Sequence, residues 1–161
     1  MNTLIVVLRL VHIVLGASWV GMMVLAQLFV APAIADAGPE GGKVMAALQR
    51  RKMMTIIPSF ALTTIISGAW LIFAVYGSMT GFMASRAGQT FSIGATLAIV
   101  AFVLGMVVVR PAMVRVGMLS QDPVKNKDEL QRLRARGAAV GRVVVVLLLL
   151  AVGAMAVARY L

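Results

Sequence analysis

The 161-residue chain is 61% hydrophobic and only 12% charged, with no cysteine, a formal net charge of +10 and a mean hydropathy of +1.00. That balance excludes an ordinary soluble domain, and the lack of thiols excludes disulfides, thiolate metal sites and cysteine nucleophiles. The excess of basic residues invites a nucleic-acid partner, but they cluster in the connections between long apolar runs, so membrane topology explains them and no nucleic acid is expected.

An α-helix crosses the hydrocarbon layer with about 20 apolar residues. Four runs meet that length, at roughly 3–34, 54–76, 90–114 and 138–159. The expected fold class is therefore all-α: a polytopic membrane protein forming one domain over 1–161, a four-helix up-down bundle embedded in the lipid bilayer. A cleaved signal peptide competes for the first run, because Ala31-Pro-Ala33 and Ala35-Asp-Ala37 have the small residues of a cleavage site. Residues 1–8 carry no side-chain charge, however, and the run outlasts a signal h-region, so 1–35 is read as mature structure.

Span one carries the chain's one histidine. Arg9, His12, Gly16, Trp19, Met23 and Gln27 recur at helical spacing and form one stripe, which should face the bundle rather than lipid. Pro32 and the segment 36–42 then supply turn residues that end the helix. Residues 43–54 are helical and basic in character, an interfacial helix ahead of span two. In span two, Ser59, Thr63 and Ser67 lie four apart as a small-residue packing seam, and Pro58 should kink the helix. Gly94, Ala98, Ala101 and Gly105 form a second seam in span three. The polar turn at 120–129 and the amphipathic 130–136 lead into span four, which starts with Gly137 and Gly141. No internal repeat stands out.

Lys43, Arg50, Arg51 and Lys52 lie between spans one and two. Arg110, Arg115, Lys125, Lys127, Arg132, Arg134 and Arg136 lie between spans three and four, whereas 77–89 holds only Arg86. The positive-inside rule then puts both basic loops in the cytoplasm and both termini outside. Asp and Glu are absent from the spans, which argues against a proton-coupled transporter built on membrane carboxylates.

An imidazole and a guanidinium one turn apart suit a b-type haem. His12 would ligate the iron, Arg9 would pair a propionate, and Gly16 and Trp19 would line the group on the same face. The plain alternative is that Arg9 snorkels to the surface and His12 bonds a neighbouring helix. One histidine supplies one axial ligand, so six-coordinate iron needs another side chain or His12 of a second copy. The 12 methionines raise copper(I), but they are scattered and read as apolar filling; Met155 and Met79 come nearest the expected depth of His12.

The pattern Arg9-Leu-Val-His12, Trp19-Val-Gly21, Leu28-Phe29-Val30 and Arg50-Arg51-Lys52-Met-Met-Thr-Ile-Ile-Pro58 resembles the small membrane proteins grouped around HemJ-type protoporphyrinogen oxidases and CopD-like copper-resistance proteins. The resemblance is detailed in the first half and extends to the rest only in span layout. It implies a four-helix protein of the bacterial inner membrane whose span-one histidine, here His12, ligates haem b. HemJ-type enzymes also carry a Lys and often a His in the third span, whereas 91–109 here contains neither. The expectation is a relative that keeps the scaffold with altered chemistry rather than porphyrinogen oxidation. The alternative is a cofactor-free accessory subunit, packing as a homo-oligomer or within a larger membrane complex.

Overall fold

The computed structural model describes residues 2–120, 122 and 125–161, without the side chain of Pro39. They form helices throughout: α1 (Thr3–Asp36), α2 (Pro39–Arg50), α3 (Met53–Tyr76), α4 (Met79–Ala84), α5 (Arg86–Leu119) and α6 (Lys127–Ala158). Of these, α1, α3, α5 and α6 are long and apolar enough to cross a membrane. Among the described residues there is no strand. The turn expected at 120–129 falls partly on 121, 123 and 124, outside the described residues.

Side-chain oxygens set several helix starts. Asn2 accepts from the Leu4 amide, Ser78 from Gly81 and Ser85 from Gly88, each satisfying a donor left open by the first turn. Lys52, with φ 58°, makes the left-handed corner between α2 and α3. At the α1–α2 corner Gly41 lies so close to Ile34 that an added Cβ would run into the Ile34 carbonyl. Gly21, by contrast, faces open space on the same long helix. Gly41→Ala is therefore expected to lower the melting temperature in detergent. Gly21→Ala should raise it slightly, by the roughly 1 kcal/mol that alanine gains over glycine within a helix.

The bundle consists of two antiparallel hairpins, α1 with α3 and α5 with α6, which pack more closely within themselves than against each other. Small residues allow that closeness: Gly16 meets the Thr64 methyl, and Gly94 meets Ala151 and Met155. The hairpins share a core in the half of the bundle away from the termini, where Trp19, Met23, Ala61, Ala101, Val144 and Leu148 are buried. Trp19 meets Phe102 edge to face, centroids 6.5 Å apart. The stripe read on span one is the buried face, since Trp19, Met23 and Gln27 are its most enclosed members.

Several boundaries and seams differ from expectation. Helix α1 does not stop at Pro32, and α5 and α6 extend well into polar sequence at 86–89, 115–119 and 127–137. The packed seam of α3 is Ala61, Thr64 and Ser67, whereas Ser59 and Thr63 are exposed. Their hydroxyls donate to the carbonyls four residues back, which lets them face an apolar surroundings without an open donor.

Prolines explain the irregular turns. In α1 the Ala31 amide bonds the Ala26 carbonyl, and in α5 the Arg110 amide bonds Gly105, each reaching five residues back as a π-turn. A proline follows each, in Val30-Ala31-Pro32-Ala33 and Val109-Arg110-Pro111-Ala112. The ring lacks an N–H and crowds the carbonyl four residues earlier, so the ladder widens just ahead of it. The two hairpins thus share a device, a local repeat that overall composition hides.

Candidate functional site

His12 stands two turns into α1, half-buried against α3. Its Nδ1 lies 2.8 Å from the Thr64 carbonyl oxygen. A carbonyl can only accept, so Nδ1 carries a proton, and in the neutral ring the lone pair is then on Nε2. Ser67, buried beneath, donates its hydroxyl to the Thr63 carbonyl at 2.7 Å and lies 3.5 Å from Nδ1. Gly68 gives the ring its seat: an added Cβ would stand 2.7 Å from His12 Cε1 and 3.1 Å from Nδ1. Among the described residues Nε2 has no hydrogen-bond partner.

The other stripe residues are placed differently. Arg9 is exposed, one turn nearer the N-terminus, with no carboxylate partner among the described residues. Gly16 is filled by the Thr64 methyl and Trp19 belongs to the shared core, so both are engaged in helix packing deeper than His12. Met155 packs on Gly94, and Met79 is exposed at the start of α4.

A second feature lies toward the opposite end. A cavity of about 90 Å³ separates the hairpins, lined from α1 by Trp19 to Ile34, from α3 by Met53 to Ala61, and from α5 by Ala101 to Met113. Both π-turns border it, as do six of the methionines that look scattered along the chain: Met23, Met45, Met53, Met54, Met106 and Met113. Gln27 is only 7% exposed, and its carboxamide oxygen is pressed against Gly141 without a hydrogen-bond partner. Arg110 closes the gap between α3 and α5, donating Nε–H to the Met54 carbonyl at 3.2 Å. Met54 precedes Pro58 by four, so this is the acceptor that the proline leaves without its helical donor. Sequence reasoning assigned Arg110 to topology alone; the Met54/Pro58 spacing was the available signal.

The cavity does not reach His12 and is smaller than the ~150 Å³ that holds a benzene ring. A porphyrin does not fit between the hairpins. The donor chemistry at His12 does suit haem, since a ligating imidazole characteristically donates its other N–H to a backbone carbonyl or carboxylate. Among the described residues no three His, Asp or Glu side chains gather as a metal-binding group.

Fold and composition define the class, an all-α, multi-pass membrane protein with a four-helix bundle. Comparison with protein-family models, curated proteins and solved structures returned no match.

Proposed function

We propose that this protein is a haem-binding membrane protein of the HemJ/CopD-like group, with His12 as an axial ligand to b-type haem. The observation that carries the reading is the 2.8 Å Nδ1–H bond to the Thr64 carbonyl, which fixes the tautomer, orients the ring and leaves Nε2 as the ligating atom. Haem b bound there would supply one-electron redox chemistry. Arg9 would hold a propionate by a charge-assisted bond, at the flank of the α1–α3 pair and outside the inter-hairpin cavity. A further ligand to the iron would come from another side chain or from His12 of a second copy, and the latter would make the protein a homo-oligomer. The basic connections support an orientation with the α2 end in the cytoplasm and both termini outside, and the HemJ/CopD-like reading carries with it a bacterial inner membrane. Porphyrinogen oxidation is not assigned, because the third span lacks Lys and His.

A second reading rests on the close seat of the ring over Gly68: His12 as an interhelical clasp in a cofactor-free accessory subunit. The absorbance spectrum of detergent-purified protein separates the two. A Soret band that vanishes in His12→Ala, with helical circular dichroism retained, supports haem ligation. A colourless, folded protein that takes up no added haem overturns it in favour of the accessory subunit.

A further inference from the structure

Two arginines stand on the outer surface of the bundle near its α2 end, and both are anchored in the same way. Arg110 on α5 donates Nε–H to the Met54 carbonyl of α3 at 3.2 Å, and Arg142 on α6 donates Nε–H to the Ala138 carbonyl at 3.3 Å. Both residues are exposed, and neither has a carboxylate partner among the described residues. Pinning Nε holds each guanidinium in place and leaves its terminal nitrogens as unspent donors, the part of the fork that grips a phosphate.

Their depth suits that ligand. Arg142 reaches one turn back along α6 to Ala138, and the adjacent Gly137 meets Ala112, two residues from Arg110. The two arginines therefore stand within about a helical turn of one level. On the side away from α2, Val146 and Leu149 are exposed four and seven residues after Arg142, and Val107 and Val103 three and seven residues before Arg110. From Arg142 to Arg159 at the far end of α6 is seventeen residues, about 26 Å of rise, close to the ~30 Å of the hydrocarbon layer. Each arginine thus sits at the edge of an apolar strip, where the hydrocarbon layer meets its phosphates.

Charge selects the headgroup. All five acidic residues lie within 36–40 or 122–129, outside both strips, and Glu40 and Glu129 are already paired with Lys43 and Arg115. A zwitterionic headgroup would bring an ammonium up to a cation with no paired carboxylate to offset it, whereas an anionic one is attracted without that opposition. Arg142 is flanked by exposed Val143 and Val146, a surface that lipid covers, so the anion that meets it carries its own acyl chains.

We propose that Arg110 and Arg142 are two separate binding sites for anionic phospholipid, each guanidinium holding one phosphate while the acyl chains lie along the apolar residues beyond it. The sites are on different flanks, because Arg110 bridges to α3 whereas α6 packs on α5 and α1. They use neither His12 nor the inter-hairpin cavity, so they are independent of haem binding.

Native mass spectrometry of the delipidated protein in detergent, titrated with phosphatidylglycerol, tests this. Retention should level off at two lipids, and phosphatidylcholine at the same concentration should not be retained. Arg142→Gln should remove one of the two, weakening that site about tenfold or more, the scale of one lost charge-assisted bond. Its bond is to its own helix, so circular dichroism should show the fold intact. Arg110→Gln should remove the other lipid. Arg132→Gln, which deletes an exposed cation from the same α6, should keep both, and added inorganic phosphate should displace neither. Retention without a plateau, equal retention of phosphatidylcholine, displacement by phosphate, or a loss in Arg132→Gln as large as in Arg142→Gln overturns the proposal. So does a folded Arg142→Gln protein that still retains two lipids.

Discussion

Gly68→Leu is expected to break the His12–Thr64 hydrogen bond and, with it, the haem site, although His12 itself is untouched. The first carbon of the new side chain already falls 2.7 Å from His12 Cε1, and leucine adds three more on the face where α1 and α3 are closest. Either the ring swings off the Thr64 carbonyl or the helices separate. Overpacking of this kind costs about 1–3 kcal/mol, visible as a lower melting temperature in detergent. With the ring displaced, Nδ1 loses the acceptor that fixes its proton, so the Soret absorbance should fall with the protein still helical. Gly21→Leu, on the same span and facing open space, is the control that should keep the Soret band and should not lower the melting temperature. A Soret band that survives Gly68→Leu would show that Thr64 does not orient the ligand.

Much of this arrangement was legible from spacing. The stripe Arg9 to Gln27 predicts a bundle-facing side of α1, and its inner members are buried, because polar residues at one helical phase have no favourable place in lipid. Length and hydropathy sufficed for four spans. Helix ends were less legible. Polar residues 127–137 continue α6 without a break, since extending an existing helix into water needs no new nucleus.

The inter-hairpin chamber was not legible at all. Its methionines lie on α1, α2, α3 and α5, and adjacent pairs such as Met53-Met54 point apart along any one helix, so periodicity cannot show that they converge. Only the packing of two hairpins brings them together. The Val-x-Pro-Ala pattern after each π-turn is too short to register as a repeat in composition, yet it places two widened turns on opposite walls of one cavity. Widened turns free side chains from the regular helical phase and are common at functional positions. Here Gln27 and Arg110 both border that cavity, which neither helix alone would reveal.

The bond from Arg110 to the Met54 carbonyl makes a further prediction about two residues that look unrelated in sequence. Pro58 removes the amide that would have satisfied Met54, and Arg110 supplies a replacement from another span. Arg110→Met should therefore destabilise the protein by about 1–3 kcal/mol, because it leaves a half-buried carbonyl without a donor. Pro58→Ala restores the N–H within α3, so the same Arg110→Met change made in that background should cost much less. The double-mutant cycle, measured by thermal unfolding in one detergent, should show a coupling of about 1 kcal/mol or more between residues on separate helices. Additive effects would mean that Met54 finds its partner elsewhere and that Arg110 is not the closure between α3 and α5. Coupling would also explain how a proline is tolerated inside a membrane-spanning helix here: the acceptor it exposes is satisfied by a neighbouring helix rather than left to lipid.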